Sequence, residues 1–424
     1  MILKNSSFSN NGTRILYNYE YDTAISEYFN PNFPFFVQYN EDVSLVPSSI
    51  NIIPFLSNVM PIAWFAGFDV YVDEIDEDFY FALLNIKNEF IKNYPSIQNK
   101  KAEIKYKKLI KNDFPKEKIA LLFSGGVDAF ASFFRLYQKE PNLITIHGAD
   151  IDLEDEYQWN NVVQFNENEP ILNSLEKVYI KSNFRTFYTY KVDLLLPNIG
   201  WWGNIQHGLA LTGVIAPLSY IKKYSTIYIA STRSIHMEFN PWGSMPEIDN
   251  QIKWSGVNVF HDGFELKRQD KVDIIVTAVN QLDKKTTIRV CYSELKEGLN
   301  CSKCEKCLRT IFAIMLSGDN PNKYGFKVDE TIYKLINKTV VRGFKSKGTQ
   351  FFWNEILEKS KSAKCFVFSN ADLEKKELDN TLKIISKVVN NDLISVSKIK
   401  KIKYILINKF PKIFSTYLKL RRKF

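Results

Sequence analysis

A short apolar run, followed by a glycine turn and a helical pattern, is the feature of this sequence that most constrains its fold. Residues 119–123, Ile-Ala-Leu-Leu-Phe, follow a charged stretch and predict a buried strand of a parallel sheet. The turn 124–128, Ser-Gly-Gly-Val-Asp, comes next and leads into a helical pattern, and a second apolar run at 143–147 completes a β–α–β unit. The sequence therefore predicts an α/β fold with this turn at the carboxyl end of a strand, where open sheets bind ligands.

The glycine turn is suited to bind a phosphate group. Gly125 and Gly126 permit backbone conformations that other residues avoid, so an anion can approach closely. The backbone N–H groups of 125–129 would lie at a helix N-terminus, where the helix dipole favours negative charge. Ser124 adds a hydroxyl donor, and Asp128 would hold either the loop or Mg²⁺. The alternative is a turn that only connects strand and helix; neither the Walker motif nor the dinucleotide-binding motif is present.

Four of the five cysteines form a second cluster of chemically informative residues. Their spacing is Cys-x₉-Cys-x₂-Cys-x₂-Cys, and four thiolates are the ligand set of a closed, structural Zn²⁺ site. An iron–sulfur cluster is the main alternative, whereas disulfides are disfavoured because the chain is large and shows no signal-peptide pattern. We expect zinc on Cys291, Cys301, Cys304 and Cys307. The flanking Lys303, Lys306 and Arg309 would moderate the negative charge of this zinc–tetrathiolate site.

The excess of basic residues is confined to the end of the chain. The sequence has 56 Lys and Arg against 47 Asp and Glu, and ten of the basic residues lie in 393–424, which contains no acid. This tail would contact a membrane surface or nucleic acid, or form solvated helices packed on the body. The uncharged segment 43–68 is interrupted by prolines and does not predict a membrane span. We expect a cytoplasmic protein.

Three further residues are candidates for substrate binding. His207 follows Trp-Trp-Gly-Asn-Ile-Gln at the start of a helical pattern at 204–222, and would contact a phosphate or carboxylate unless it is only a structural hydrogen-bonding group. Arg185 and Arg233 each follow a predicted strand, so both would lie at the same sheet edge as the glycine turn. Arginine at that edge suits an anionic substrate, although surface ion pairing is its commoner role.

The sequence predicts three regions: a small α+β region at 1–115, a parallel-sheet core at 116–315 and a helical region with the basic tail at 316–424. Strands are expected near 119–123, 143–147, 177–182 and 226–231. In the first region, 1–60 predicts short strands and loops, 76–95 predicts a helix and 100–118 predicts a charged edge segment.

The turn at 124–128 resembles the Ser-Gly-Gly-x-Asp-[Ser/Thr] motif of the PP-loop adenine nucleotide α-hydrolase superfamily. The cysteine spacing is similar to that of its 7-cyano-7-deazaguanine synthase family, and blocks such as Trp-Gly-x-x-x-His-Gly resemble a bacterial branch of the superfamily. The resemblance covers about 119–315. It implies a PP-loop core that binds ATP and Mg²⁺, with ATP on Ser124, Gly125, Gly126, Val127, Asp128 and Ala129.

The resemblance also implies a reaction. An acceptor oxygen, from a carboxylate or carbonyl of a small molecule, would attack the α-phosphate of ATP and release pyrophosphate, and a nitrogen nucleophile would then displace AMP. Ammonia would come free or from a partner. Asp128, Lys267, Arg268 and Lys271 would be the catalytic residues. Ala129 replaces a hydroxyl residue of the motif, so a catalytically degenerate nucleotide-binding module is one alternative, and a thiolating enzyme that docks nucleic acid through its tail is another.

Overall fold

The structure, a computed structural model, describes residues 1–196, 200–291, 299–344, 346–360 and 366–393. Within these ranges, eleven strands form one sheet in the order β10-β11-β9-β6-β7-β8-β3-β2-β1-β4-β5. The strands are β1 (Ile2–Ser9), β2 (Arg14–Glu20), β3 (Phe36–Gln38), β4 (Val70–Asp76), β5 (Ile104–Ile110), β6 (Lys118–Leu122), β7 (Asn142–His147), β8 (Lys177–Ser182), β9 (Tyr224–Ala230), β10 (Lys253–Trp254) and β11 (Val257–Asp262).

The centre of the sheet is parallel and contains the predicted core strands. β11, β9, β6, β7 and β8 are successive parallel neighbours, and all four predicted strands lie within two residues of their expected bounds. From β6 the chain adds β7 and β8 on one side and then crosses to add β9 and β11 on the other. The switch point beside β6 leaves a crevice at the carboxyl ends of these strands, directly after which the glycine turn begins.

Helices pack on both sides of this centre and form the last part of the described chain. They are α1 (Ser48–Asn51), α2 (Ile53–Ala66), α3 (Glu77–Asn93), α4 (Val127–Arg135), α5 (Glu156–Asn168), α6 (Tyr190–Asp193), α7 (His207–Gly213), α8 (Ala216–Lys222), α9 (Pro246–Asp249), α10 (Arg268–Gln281), α11 (Glu305–Leu316), α12 (Ile332–Val340), α13 (Lys347–Glu358) and α14 (Ala371–Val389). The helix predicted at 76–95 is confirmed as α3. The one predicted at 204–222 is divided into a π-helical turn, Trp202–Gln206, followed by α7 and α8.

The expectation of only strands and loops at 1–60 is wrong for 48–60. α1 and α2 occupy 48–66, and the side chains from Ile53 to Phe65 are all buried. A helix that is apolar on every side belongs in a protein core, and here it continues through Pro61 because its neighbours bury it. Among the described residues, no helix is both long and apolar enough to cross a bilayer.

The N-terminal strands continue the central sheet. β3 pairs with β8 in an antiparallel register, and β2, β1, β4 and β5 extend the sheet from there, so one sheet crosses position 115. The charged segment predicted at 100–118 contains the edge strand β5. The basic tail, for which membrane or nucleic-acid contact and solvated helices packed on the body were the alternatives, lies outside the described residues from 394 onward.

Candidate functional site

A cavity of about 700 Å³ opens at the carboxyl ends of β6, β7 and β9. Its volume is in the range of pockets that enclose small ligands and nucleotides. Apolar side chains such as Ile144, Ile146, Trp159 and Val162 form one part of its wall. The charged lining has more cations than acids: Arg185, Arg233, Arg268, Arg289, Lys306 and Arg309 against Asp128, Asp150 and Glu305. This distribution suits an anionic ligand with an apolar part.

The glycine turn forms the floor of this cavity. Gly125 has φ of +73°, and a Cβ atom there would lie 2.8 Å from the ring of Phe165, so only glycine fits. Gly126 is the N-cap of α4, and no side chain within the described residues caps that helix. Its first backbone N–H groups therefore border the cavity, whose lining includes Val127, Asp128 and Ala129. These are the properties that the sequence predicted for a phosphate-binding turn.

Arg289 fixes the turn from outside the β–α–β unit. Its backbone N–H donates to the carbonyl of Gly125 at 2.7 Å, and its Nη1 donates to the carbonyl of Ser124 at 3.1 Å. Its side chain also lines the cavity. Sequence reasoning did not single out Arg289, which stands two residues before the first cysteine of the cluster and 165 positions after Ser124.

Asp128 is held by two cations. Arg268 Nη1 lies 3.0 Å from Oδ2 and Lys271 Nζ lies 3.2 Å from Oδ1. Burial alone would raise the pKa of Asp128, but the charges of Arg268 and Lys271 bring it below its ordinary value, so the carboxylate stays ionised. Burial lowers the pKa of Lys271, whose side chain is only 4% exposed. Asp128 therefore joins the start of α4 to α10 through two ion pairs.

Two residues close to the turn and to α10 in the sequence, Lys267 and Ser132, are not part of the cavity lining. Lys267, predicted as catalytic, precedes α10, and its Nζ pairs with Glu358 at 2.9 Å on the outer surface. The hydroxyl of Ser132, one turn beyond Ala129, donates to Asp262 at 2.6 Å in the core. It cannot take the place of the hydroxyl that the turn lacks at Ala129.

The π-helical turn brings His207 to the opposite wall. Single-turn π-helices are frequent at functional sites. The His207 ring contacts Trp202 and Trp242, with centroids 5.2 Å and 5.9 Å away, and its buried Nδ1 has no hydrogen-bond partner among the described residues. Burial lowers the pKa of His207, so the ring is neutral at neutral pH.

The loop that carries Trp242 packs tightly on this turn. Gly243 donates its N–H to the carbonyl of Gly203 at 2.8 Å, and a Cβ atom on Gly203 would lie 2.5 Å from the Trp242 ring. In the core, Gln206 of the π-helical turn donates from Nε2 to Asn58 Oδ1 on α2 at 2.9 Å. The N-terminal region therefore supports the wall of the cavity, a contact that no local sequence pattern indicates.

The two predicted substrate-binding arginines line the cavity as expected from their positions after β8 and β9. The guanidinium of Arg185 lies 4.6 Å from the ring of Trp202 and donates to the carbonyl of Ala149 at 2.5 Å. Arg233 donates to the carbonyl of Glu238 at 2.8 Å, and burial lowers its pKa. Both retain donors for an anionic ligand, since a guanidinium has five.

The four cysteines of the predicted metal site converge beside the cavity. Their sulfur atoms all lie within 4.8 Å of one another, with Cys291 and Cys304 Sγ at 3.8 Å and Cys301 and Cys307 Sγ at 3.9 Å. A tetrahedral zinc with Zn–S bonds of about 2.3 Å requires S···S distances of roughly 3.8 Å. The arrangement therefore fits a tetrathiolate metal site. The fifth cysteine, Cys365, lies outside the described residues.

Two of the three cations that flank the cysteines also line the cavity. Lys306 and Arg309 line the cavity, whereas Lys303 is exposed and outside the lining. Arg309 is 7% exposed, lies 3.1 Å from Glu305 through its Nε and stacks on Phe352 with its Cζ 4.3 Å from the ring centre. Lys306 and Arg309 therefore lie both in the cavity lining and close to the cysteines in the sequence.

Comparison of the chain with protein-family models, with curated proteins and with solved structures finds no match.

Proposed function

We propose that this protein is an ATP-dependent enzyme of the PP-loop type that adenylates an oxygen of a small acceptor and releases pyrophosphate. One observation carries the proposal: a glycine turn at a helix N-terminus, a cation-rich cavity and a cluster of four cysteines lie together at the carboxyl ends of the parallel central strands. A turn of this kind binds phosphate through backbone N–H groups. It lacks the Walker lysine that would reach a γ-phosphate, so it suits pyrophosphate as a leaving group.

The proposed first step is attack of an acceptor oxygen on the α-phosphorus of ATP. A bond forms between that oxygen and phosphorus as the bond to the β-phosphate oxygen breaks, and pyrophosphate leaves with the electron pair. Backbone N–H groups of 125–129 and the cations of the cavity would stabilise the charge that develops there. In this scheme Arg268 and Lys271 act through Asp128, since both are paired with its carboxylate.

The acceptor would occupy the wall opposite the turn. Arg185 and Arg233 offer guanidinium donors for a carboxylate or carbonyl oxygen, and Trp202 and Trp242 offer apolar surface. The neutral His207 presents a buried, unpartnered Nδ1 that can hydrogen-bond the acceptor or take a proton from an incoming amine. In the second step that nitrogen nucleophile attacks the activated carbon and AMP departs.

Mg²⁺ would enter with ATP and neutralise its phosphates. Asp128 is engaged by two cations, whereas Asp150 lies in the lining and enters no ion pair among the described residues, so we assign any protein contact to Mg²⁺ to Asp150. Zinc on the four cysteines would be structural, because a four-thiolate set leaves no open position for chemistry.

The second candidate is a nucleotide-binding module without catalysis, which Ala129 favours because it removes a hydroxyl from the turn. One experiment separates the two. The zinc-loaded protein is incubated with ATP, Mg²⁺ and the small-molecule fraction of a cell extract, and the nucleotides are resolved chromatographically. We expect AMP and pyrophosphate that depend on the extract and are lost in Gly125→Val. ATP that binds but is never cleaved would support the module, and ADP with phosphate would contradict the proposed reaction.

A further inference from the structure

Helix α11 joins the cysteine cluster to the cavity. Cys304 is its N-cap and Cys307 lies in its first turn, so two of the four thiols belong to the start of this helix. Lys306, Arg309 and Thr310 project from the same turns into the cavity lining. The cluster and these side chains therefore share the first turns of one helix.

Arg309 is a buried cation with part of its hydrogen-bonding capacity unused within the described residues. It is 7% exposed and its Nη1 has no hydrogen-bond partner there, while Nε lies 3.1 Å from Glu305. Glu305 is shared, since its Oε1 also accepts from Trp353 at 3.0 Å. An unpaired guanidinium nitrogen is costly in a buried position, so a ligand atom is the expected partner.

Two guanidinium groups meet on one aromatic ring. The Cζ atoms of Arg309 and Arg268 lie 4.3 Å and 5.3 Å from the centre of the Phe352 ring on α13. Burial lowers the pKa of Arg309 to about 10, and the charge of Arg268 acts in the same direction. Arg268 and Lys271 share the carboxylate of Asp128. Arg309 differs from them because its buried Nη1 has no hydrogen-bond partner among the described residues, so this nitrogen is placed to bind an anion.

We propose that Lys306 and Arg309 of α11 are the principal cations that bind the pyrophosphate part of the nucleotide, and that metal loading of the cysteine cluster sets the affinity for it. The inference rests on the proposed function. Metal binding holds Cys301, Cys304 and Cys307 in one turn and so fixes the start of α11. Without the metal, the first turn of α11 loses this restraint, and the two cations are no longer held at the cavity.

Calorimetric titration of the full chain with inorganic pyrophosphate tests the inference. The proteins are the zinc-loaded and metal-stripped wild type, Arg309→Met, Lys306→Met and the control Lys303→Met, which removes an equal charge beside the same cysteines but outside the lining. We expect Kd to rise about 10–100-fold in Arg309→Met, because a charged hydrogen bond is lost. Lys306→Met should also raise Kd, and we expect this variant to fold normally because Lys306 is exposed.

Metal removal should weaken binding by tenfold or more, zinc should restore it, and Lys303→Met should bind like the wild type. Binding in Arg309→Met and Lys306→Met that equals the Lys303→Met control would overturn the inference, as would unchanged binding after metal removal. If either of these outcomes is found but Gly125→Val abolishes pyrophosphate binding, the role of the turn stands and only that of α11 is rejected. If the loaded wild type binds no pyrophosphate at all, the proposed function fails as well.

Discussion

Replacing Asp128 with Asn should destabilise the protein through Lys271. The Lys271 side chain is 4% exposed, its Nζ lies 3.2 Å from Asp128, and its other hydrogen bond is to the carbonyl of Ser231. Removing one partner of a buried pair leaves an uncompensated charge and costs about 3–5 kcal/mol. We expect the lower end, about 3 kcal/mol, because Lys271 keeps that carbonyl and Arg268 is partly solvated, with 22% of its side chain exposed.

A double-mutant cycle isolates this effect. Lys271→Met removes the buried cation, so the pair of substitutions should restore most of the stability lost in Asp128→Asn, with a coupling of about 2–3 kcal/mol. Urea unfolding followed by circular dichroism measures each free energy. Asp150→Asn is the control, since this exposed carboxylate of the same cavity should change stability by less than about 0.5 kcal/mol. If Asp128→Asn matches the wild type, or if the double variant shows no recovery, the charge argument is refuted.

Three further outcomes are expected. Gly203→Ala should displace Trp242 and cost about 1–3 kcal/mol, visible as a change in tryptophan fluorescence, because the added Cβ would lie 2.5 Å from the ring. Elemental analysis should find about one zinc per chain, lost in Cys304→Ser, whereas iron with labile sulfide would contradict the assignment. Burial raises the pKa of Glu355 to about 7, so the free energy of unfolding should fall as the pH rises from 4.5 to 7, where only the unfolded chain ionises this group. Glu355→Gln should remove this pH dependence.

The local part of the site was predictable from the sequence. An apolar run, two glycines and a helical pattern are contiguous between 119 and 136, so strand, turn and helix could be assigned without tertiary information. The same holds for the cysteines, whose spacing alone specifies a chelating turn. The structure brings both to one cavity, whose lining includes Ser124 of the turn and Val290 and Lys306 beside the cysteines.

Features that depend on distant contacts were not predictable. The carboxylate of Asp128 is paired with residues 140 and 143 positions away, and Asn58 reaches Gln206 across 148 positions. The prolines in 43–68 argued against a membrane span, and only strands and loops were expected up to residue 60, yet burial on every side keeps α2 helical. The direction of Arg309 depends on how α11 packs, which the flanking sequence does not encode.

The most direct measurement of the central claim is exchange of labelled pyrophosphate into ATP. If an acceptor oxygen displaces pyrophosphate from the α-phosphorus, the first step is reversible, and label should enter ATP when the acceptor fraction is present without a nitrogen donor. Gly125→Val should abolish the exchange, because its Cβ would collide with Phe165 and distort the turn. Turnover of ATP to ADP and phosphate, with no label entering ATP under any acceptor condition, would contradict the account.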